Sequence, residues 1–564
     1  MNKTVKRKEG GKTPRRGAAA EKARSAAGGK RSRAVQRLRG LGAIVLFAIA
    51  ALLIADQVVF MSPKVPDHDI FYHLRHTSLY LSRGLFMREF PWVTCSVISK
   101  FQGDIWYGFH LLLIPITFVS EPSDQIKVAG SFILAICLLL IYLAARHSKL
   151  AYPYIWPYMT LLSAAVFIQR LVMARPHVVS AGVAALLLSF LVSGGLWAIF
   201  FLSLALTFLH LSFFWLGILI AIVVVSFSFA VERVFHWRRL VATFGGLAVG
   251  WLLRPNPIGA AKILNIQLFR LTLEKQKGLE GFGTELSPLI PQALLLLLPF
   301  IALWLGFAAV FLVKTLRRRT DLSPQARVFL WSSLALSALF FAMTMLAYQR
   351  ALDQWDLFAV LFIAAGYTHF LAARRAEGKE PARGNRRQKI ITVVGAVALV
   401  GLVWGGVYTY KQFIRLLGTR VSRCAAVGEW LQANSQPGDI VFHANWGMFP
   451  ELFFWDPKNY YIGGMDPIFQ FVYDEKLYWE ATHLGNNEMG GKTWGTSEEA
   501  GAELEDTYTV LRRDFKAAYL VINEGLTPSL YMYASGDPRF IPCFDDRRFA
   551  VFKLAESPPA NGAQ

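Results

Sequence analysis

A short segment near residue 70 concentrates side chains that can do acid–base chemistry and bind phosphate. It holds two carboxylates, three histidines and one arginine, in the order Pro66-Asp67-His68-Asp69-Ile70-Phe71-Tyr72-His73-Leu74-Arg75-His76. Carboxylates suit general-base work or cation binding, and arginine forms bidentate bonds to phosphate. The alternative is a solvated polar loop that only anchors the chain at an interface.

This segment directly follows a hydrophobic stretch that is long enough to cross a bilayer. A helical span takes roughly 20 apolar residues, and residues 41–60, 292–312 and 390–410 each meet that length. The chain is 54% hydrophobic and only 17% charged, which is unusual for a soluble protein of 564 residues. We therefore predict an α-helical, many-pass membrane protein whose first span is retained, because a long basic tail precedes it.

The formal net charge of +21 is concentrated in a few short segments. Residues 1–40 carry fourteen basic and two acidic residues, and residues 374–389 carry seven basic and two acidic. A basic protein suggests nucleic-acid binding, but basic loops between spans are what the positive-inside rule predicts. We exclude nucleic acid as a partner. We expect residues 1–40 to be a disordered cytoplasmic tail that contacts membrane lipids.

Hydropathy and the basic loops together predict about eleven spans within residues 41–410. They lie near residues 41–61, 125–146, 152–170, three within 178–231, then 240–253, 289–313, 327–347, 356–373 and 390–410. The run 178–231 should break near Gly194-Gly195 and near His210. Residues 62–124 and 254–288 are then the large external loops. We expect the apolar segment 105–119 to be re-entrant or interfacial, because a crossing there would move every later basic loop outside.

The composition changes after residue 410, and residues 411–564 hold fourteen basic and twenty acidic residues. Residues 425–434 look helical, and residues 440–443, 518–522 and 549–554 predict short buried strands. We expect residues 411–564 to form an extracytoplasmic α/β domain. Cys424 and Cys543 could pair there if that side is oxidising, and free thiols are the alternative.

One motif resembles a known family. Asp69-Ile70-Phe71-Tyr72-His73-Leu74-Arg75 is similar to the Asp-x-x-Tyr-His-x-Arg element after the first span in the catalytic subunit of archaeal and bacterial oligosaccharyltransferases. More broadly, the chain resembles the GT-C superfamily of glycosyltransferases, whose members use polyprenyl-phosphate-linked sugars. The long first external loop, the many spans and the external C-terminal domain agree with that plan. The resemblance implies that Asp69 is the catalytic carboxylate, with Asp67, His73 and Arg75 binding substrate.

The resemblance extends more loosely to the second external loop. Gly283-Thr284-Glu285 lies where the family places a Ser/Thr-x-x-Glu motif, but position 282 is Phe, so only the acid matches. Glu285 is therefore a second candidate catalytic residue. Together with Asp69 it could hold an optional Mg²⁺ or Mn²⁺.

Several cations lie at the predicted outer ends of spans, where they could face a lipid phosphate. Arg350 occupies the place of a family arginine that holds this phosphate, and the alternative is an interfacial ion pair with Asp353. The other candidates are Arg175, His177 and Arg254.

The sequence also departs from the oligosaccharyltransferases. Residues 170–180 contain no Asp or Glu, so the family's second-loop acidic pair has no counterpart and a fully carboxylate-bound metal is disfavoured. Trp446-Gly447 lacks the second Trp and the Asp of the family's Trp-Trp-Asp element, which argues against recognition of an Asn-x-Ser/Thr sequon. The resemblance thus supports the superfamily rather than that particular activity.

The resulting hypothesis is an inverting GT-C-type glycosyltransferase in a bacterial-type inner (plasma) membrane. It would move a sugar from a polyprenyl-phosphate donor to a glycan, lipid or protein acceptor outside the cytoplasm. Alternatives are a non-catalytic envelope-assembly protein or degenerate relative, and a transporter or lipid flippase. The last is disfavoured because residues 178–230 and 289–313 contain no Asp, Glu, Lys or Arg to bind a coupling ion.

Overall fold

Helices dominate the chain up to residue 417. The computed structural model describes residues 16–276, 283–317, 322–372, 386–486 and 505–556. The helices in this part are α1 Arg16–Phe60, α2 Asp69–Arg83, α3 Val97–Phe101, α4 Tyr107–Leu112, α5 Pro122–His147, α6 Trp156–Leu162, α7 Ala165–Val172, α8 Pro176–Ser193, α9 Leu196–Leu209, α10 Phe214–Glu232, α11 Trp237–Leu252, α12 Pro257–Asn265, α13 Leu271–Gln276, α14 Pro291–Leu316, α15 Pro324–Leu346, α16 Leu352–Tyr367 and α17 Arg386–Leu417.

Among the described residues, six helices are long and apolar enough to cross a membrane. They are Leu38–Phe60, Pro122–His147, Pro176–Ser193, Leu211–Glu232, Pro291–Leu316 and Pro324–Leu346, and the apolar helix α9 is shorter. The prediction of a polytopic helical membrane protein is confirmed, while the count of eleven spans stays a prediction. The apolar run 178–231 divides into three helices, with breaks at Gly194-Gly195 and His210 as predicted.

Three segments can be compared in detail with the expectation, and two of them differ from it. The span expected at 152–170 is interrupted, because Ala164 adopts an extended conformation between α6 and α7. The segment 105–119 forms only two short helices, α4 and a 3₁₀ turn at Ile114–Phe118, in agreement with a segment that does not cross. Helix α1 begins at Arg16, so residues 16–40 of the basic tail are helical, as their many Ala, Arg and Lys residues favour. Residues 1–15 lie outside the described residues, as does most of the basic loop 374–389.

Two glycines set the close packing of α9 against α11. A Cβ atom on Gly246 would lie 2.2 Å from the carbonyl oxygen of Phe200, and one on Gly250 would lie 2.4 Å from that of Leu204. The two glycines are four residues apart and therefore face the same side of α11. Small residues at this spacing let helix backbones approach closely in membranes, where packing contacts replace the hydrophobic effect.

A five-stranded mixed sheet follows α17. Its strands are β3 Ile440–His443, β4 Tyr460–Tyr461, β5 Tyr519–Asn523, β6 Phe540–Asp545 and β7 Phe549–Leu554, in the spatial order β4-β3-β5-β7-β6. The strand β3 is parallel to β4 and β5, and β7 is antiparallel to β5 and β6. The surrounding helices are α18 Ala425–Asn434, α19 Phe449–Trp455, α20 Pro467–Phe471, α21 Glu475–Gly485, α22 Thr507–Arg513 and α23 Pro528–Gly536.

The predicted helix at 425–434 and the three predicted strands are confirmed, the middle one shifted by a residue. The short β4 and the largely exposed β6 have too little apolar alternation to be recognised in the sequence. Cys424 and Cys543 are not bonded to each other, so the free-thiol alternative describes this structure.

The loop of residues 62–124 is joined to the C-terminal region at two places. The strand β1, Lys64–Val65, pairs with β2, Thr419–Arg420, in antiparallel register. Further along the loop, the backbone carbonyl of Trp92 accepts a hydrogen bond from the N–H of Tyr461, and the N–H of Thr94 donates to the carbonyl of Tyr461. These bonds fix the loop that carries Asp69 against the C-terminal region.

Candidate active site

Helix α2 presents the acidic segment at its N-terminus. It begins at Asp69, where the helix dipole stabilises a carboxylate, and ends at Gly84, whose φ of 102° suits only glycine. Asp67 lies just before the helix. The two carboxylates are therefore close together, at the point where the chain leaves the predicted first span.

Arg175 binds both of these carboxylates. Its guanidinium contacts Asp67 in a bidentate manner, with Nε and Nη2 at 2.6 and 2.5 Å from the two carboxylate oxygens. The same Nη2 lies 3.0 Å from Oδ2 of Asp69. Pro176 forces the residue before it into an extended conformation and starts α8, and this places Arg175 at the helix end.

Glu285 joins three arginines. Its Oε1 accepts hydrogen bonds from Arg175 at 3.1 Å and from Arg350 at 2.5 Å, and its Oε2 accepts one from Arg170 at 2.7 Å. The alternative prediction, an ion pair between Arg350 and Asp353, is wrong. Asp353 instead makes a bidentate pair with Arg170 at 2.9 and 2.7 Å.

The two acidic residues beside Arg175 differ in their ionisation. Burial tends to raise the pKa of Asp67, but the bidentate contact with Arg175 outweighs it and the pKa is lowered. Burial raises the pKa of Asp69 to about 6, against a weaker opposing effect of Arg175. Environments that separate the pKa values of two neighbouring acids assign them different roles. Asp69 is therefore the better proton acceptor, and Asp67 is a fixed anion.

Glu285 is also a fixed anion. Burial alone would raise its pKa, but Arg175, Arg350 and Arg170 hold the pKa well below its usual range. It orders the arginines rather than exchanging protons.

These side chains line a cavity of about 330 Å³. Of the predicted site residues, those at the cavity are Asp69, His73, Arg175, His177, Glu285 and Arg350. Among the arginines of the ion-pair cluster, Arg350 has the most exposed side chain, at 40%. A ligand phosphate can therefore reach Arg350 most easily.

The C-terminal region also contributes to the cavity wall. Asp466, which sequence reasoning missed, lines it beside Met465, whose φ of 69° is rare for a residue with a side chain. Burial raises the pKa of Asp466 to about 6. In the sequence, the Gly463-Gly464 pair before Asp466 and Pro467 after it indicate a tight turn. This turn was the available signal that Asp466 lies at a special position.

Two predicted site residues have structural partners instead. Arg75 donates its Nε hydrogen to the carbonyl of Phe454 at 3.0 Å, which ties α2 to α19. Arg254 donates to the carbonyls of Trp251, Asp104 and Thr207 and is absent from the described lining of the cavity. The hydrogen bonds of Arg75 and Arg254 indicate structural roles, and they do not support a role in phosphate binding.

The residues do not fit a divalent cation between Asp69 and Glu285. Both carboxylates already face the Arg175 guanidinium, at 3.0 and 3.1 Å. A fixed positive charge thus occupies the position that Mg²⁺ or Mn²⁺ would take, and a second cation there would be repelled.

Two solved structures share the fold of this chain. One is ArnT from Cupriavidus metallidurans bound to undecaprenyl phosphate, with a TM-score of 0.50 at 15% identity over 92% of this chain and 99% of that one. The other is the archaeal oligosaccharyltransferase AglB from Archaeoglobus fulgidus, in complex with an inhibitory peptide and a dolichol-phosphate. Its TM-score is 0.54 at 12% identity over 91% and 74% of the two chains. No protein-family model matches the sequence, and no curated protein shows significant similarity to it.

Proposed function

We propose that this chain is an inverting membrane glycosyltransferase that moves a sugar from a polyprenyl-phosphate donor to an extracytoplasmic acceptor. The observation that carries the proposal is the position of Asp69, a proton acceptor in a cavity that is also lined by three arginines. The lipid phosphates bound to the two structural neighbours support a donor of the same class.

In this mechanism Asp69 accepts the proton of the acceptor hydroxyl as its oxygen attacks the anomeric carbon. The bond from that carbon to the phosphate oxygen breaks, and negative charge grows on the phosphate. Arg350 and Arg175 stabilise this charge, because guanidinium groups match phosphate oxygens in a fixed geometry. Asp67 and Glu285 keep the arginines in place.

The charge distribution supports an orientation in the membrane. With the basic tail in the cytoplasm, Asp69 and the C-terminal region lie on the outer side of an inner or plasma membrane. The donor then reaches the cavity laterally from the outer leaflet. A protease or tag experiment that placed residue 69 in the cytosol would contradict this orientation.

The test is sugar transfer by the full-length protein reconstituted with a radiolabelled polyprenyl-phosphate sugar. We expect Asp69→Asn to lower transfer by at least about 10²-fold, the usual contribution of a general base. Asp124→Asn is the matched control, because this acid is exposed in the first turn of α5. Transfer at the wild-type rate by Asp69→Asn would remove Asp69 from the mechanism.

Two other functions give different outcomes. A non-catalytic envelope-assembly protein would leave sugar transfer unchanged in a strain that lacks the gene, whereas we expect an under-glycosylated envelope product to accumulate. A transporter or flippase would move labelled lipid or solute across reconstituted vesicles without changing it chemically.

A further inference from the structure

A chain of buried hydrogen bonds runs away from the cavity wall. His73 lies one helical turn after Asp69 on α2, and both side chains line the cavity. The Nδ1 atom of His73 is 2.8 Å from Nε2 of His110. The Nδ1 atom of His110 is 2.7 Å from Oδ2 of Asp104. Asp104 in turn lines a second, smaller cavity.

The hydrogen bonds fix the tautomer of each imidazole. Asp104 accepts at both oxygens, from the Trp106 backbone N–H at 2.8 Å and from His110. Burial would raise the pKa of Asp104, but His110 outweighs it and the pKa is lowered, so Asp104 is an acceptor only. In the resting state of the relay His110 is neutral, so it carries its hydrogen on Nδ1 and its Nε2 accepts the Nδ1 hydrogen of His73.

The second ring nitrogen of His73, Nε2, is available to accept a proton. Its Nε2 has a lone pair and no hydrogen-bond partner within the described residues. Burial holds the pKa of His73 well below its usual range, so the imidazole is neutral. Asp69 and His73 are four residues apart, a separation of about 5–6 Å between Cβ atoms that one water molecule can bridge.

We propose that His73, His110 and Asp104 form a proton relay that returns Asp69 to its ionised form after each transfer. The inference rests on the proposed function. The proton leaves Asp69 through a water molecule and binds Nε2 of His73, while the Nδ1 hydrogen of His73 moves to Nε2 of His110. Because burial disfavours a charge on His73, the cation resides on His110, paired with the Asp104 carboxylate. When the product leaves, the proton returns along the same hydrogen bonds to water in the cavity, and both imidazoles regain their starting tautomers. No electron is transferred.

A metal site is the competing interpretation, because ligand atoms of His76, Asp104 and His110 lie within 4.8 Å of one another. A metal would have to displace one of the two hydrogen bonds of His110, since both ring nitrogens are already engaged. The intact bonds favour the relay. Stoichiometric metal bound to the purified protein and released by His110→Gln would overturn it.

The sharpest variant is Asp104→Asn. In this variant the amide oxygen keeps the hydrogen bond from the Trp106 N–H, so the amide NH₂ faces Nδ1 of His110. His110 must then accept at Nδ1 and donate from Nε2, and the tautomers of both histidines are reversed. His73 then carries its hydrogen on Nε2 and cannot accept the proton. Tyr80→Phe is the matched control, since it removes a 2.9 Å hydrogen bond to the same Asp104 oxygen without changing the charge.

The experiment uses the full-length protein in lipid nanodiscs and two readouts. Histidine ¹⁵N NMR should show His73 unprotonated at Nε2 in the wild type and protonated there in Asp104→Asn. Transfer should fall by about 10²-fold in Asp104→Asn and His73→Gln, and by no more than about threefold in Tyr80→Phe. Binding of polyprenyl phosphate should stay unchanged.

The outcomes separate the two proposals. If the wild type transfers sugar and Asp69→Asn does not, while Asp104→Asn transfers normally, the relay is wrong and the proposed function stands. Nε2 protonated in the wild type also overturns the relay. If the wild type transfers no sugar, the proposed function fails, and the catalytic use of the relay fails with it.

Discussion

Oδ2 of Asp69 lies 3.0 Å from Nη2 of Arg175, yet the stronger bonds of that guanidinium go to a different carboxylate. The candidate base therefore lies beside a positive charge that is already largely neutralised. This explains how an acid can lie among arginines and still titrate near neutral pH.

The first prediction concerns pH. Because the pKa of Asp69 is raised to about 6, transfer should be maximal above that pH and should fall about tenfold for each pH unit below it, as the base becomes protonated. The measurement is the initial rate of transfer as a function of pH. The pKa of Asp466 is also raised to about 6, so Asp466→Asn tests the assignment. The acidic limb should persist in this variant, and its loss would assign the limb to Asp466.

The second prediction concerns the phosphate site. Arg350→Gln should weaken binding of polyprenyl phosphate by about 10-fold or more, because a charge-assisted bond contributes about 1.5–3 kcal/mol. Arg420→Gln is the matched control, since this exposed arginine also lies beside the first external loop, on β2. Equal affinities in the two variants would contradict a role for Arg350.

The third prediction separates a structural arginine from a binding one. Arg254→Met should lower the unfolding temperature, because three backbone carbonyls lose their donor. The affinity for polyprenyl phosphate should be unchanged, in contrast to Arg350→Gln. A weakened affinity in a fully folded Arg254 variant would return this residue to the binding site.

The fourth prediction uses two adjacent glycines of α11. Gly246→Ala should destabilise the protein by about 1–3 kcal/mol, because the new methyl group would overlap a backbone carbonyl of α9. Gly245→Ala should be neutral or stabilising by up to about 1 kcal/mol, because its methyl group would meet only the Phe200 ring, at 3.5 Å. Thermal unfolding in detergent measures both. Equal effects would show that backbone proximity does not limit this helix pair.

Local features of the fold were predictable from the sequence. Hydropathy located the long helices, and the Gly194-Gly195 pair located a break, because glycine accepts the positive φ of 90° found there. The strand at residues 549–554 was predictable because its residues are almost all apolar and it is buried.

The pairing of charges was not predictable in the same way. Glu285 and Arg170 are separated by 115 residues, and their contact depends on how the ends of α7 and α14 meet. Sequence reasoning could place Arg350 at a helix end but could name only the nearby Asp353 as its partner, because Glu285 lies 65 residues away in the chain. The His73–His110 bond was missed for the same reason, since 37 residues separate the two histidines in the chain.

Residues 465–469 hold the last part of the cavity wall to leave the ribosome, about 400 residues after Asp69. During synthesis, the membrane helices and their arginines are in place well before this wall exists. A half-made chain therefore has the charged side chains without this wall, and the cavity is complete only when residues 465–469 have folded against the membrane helices.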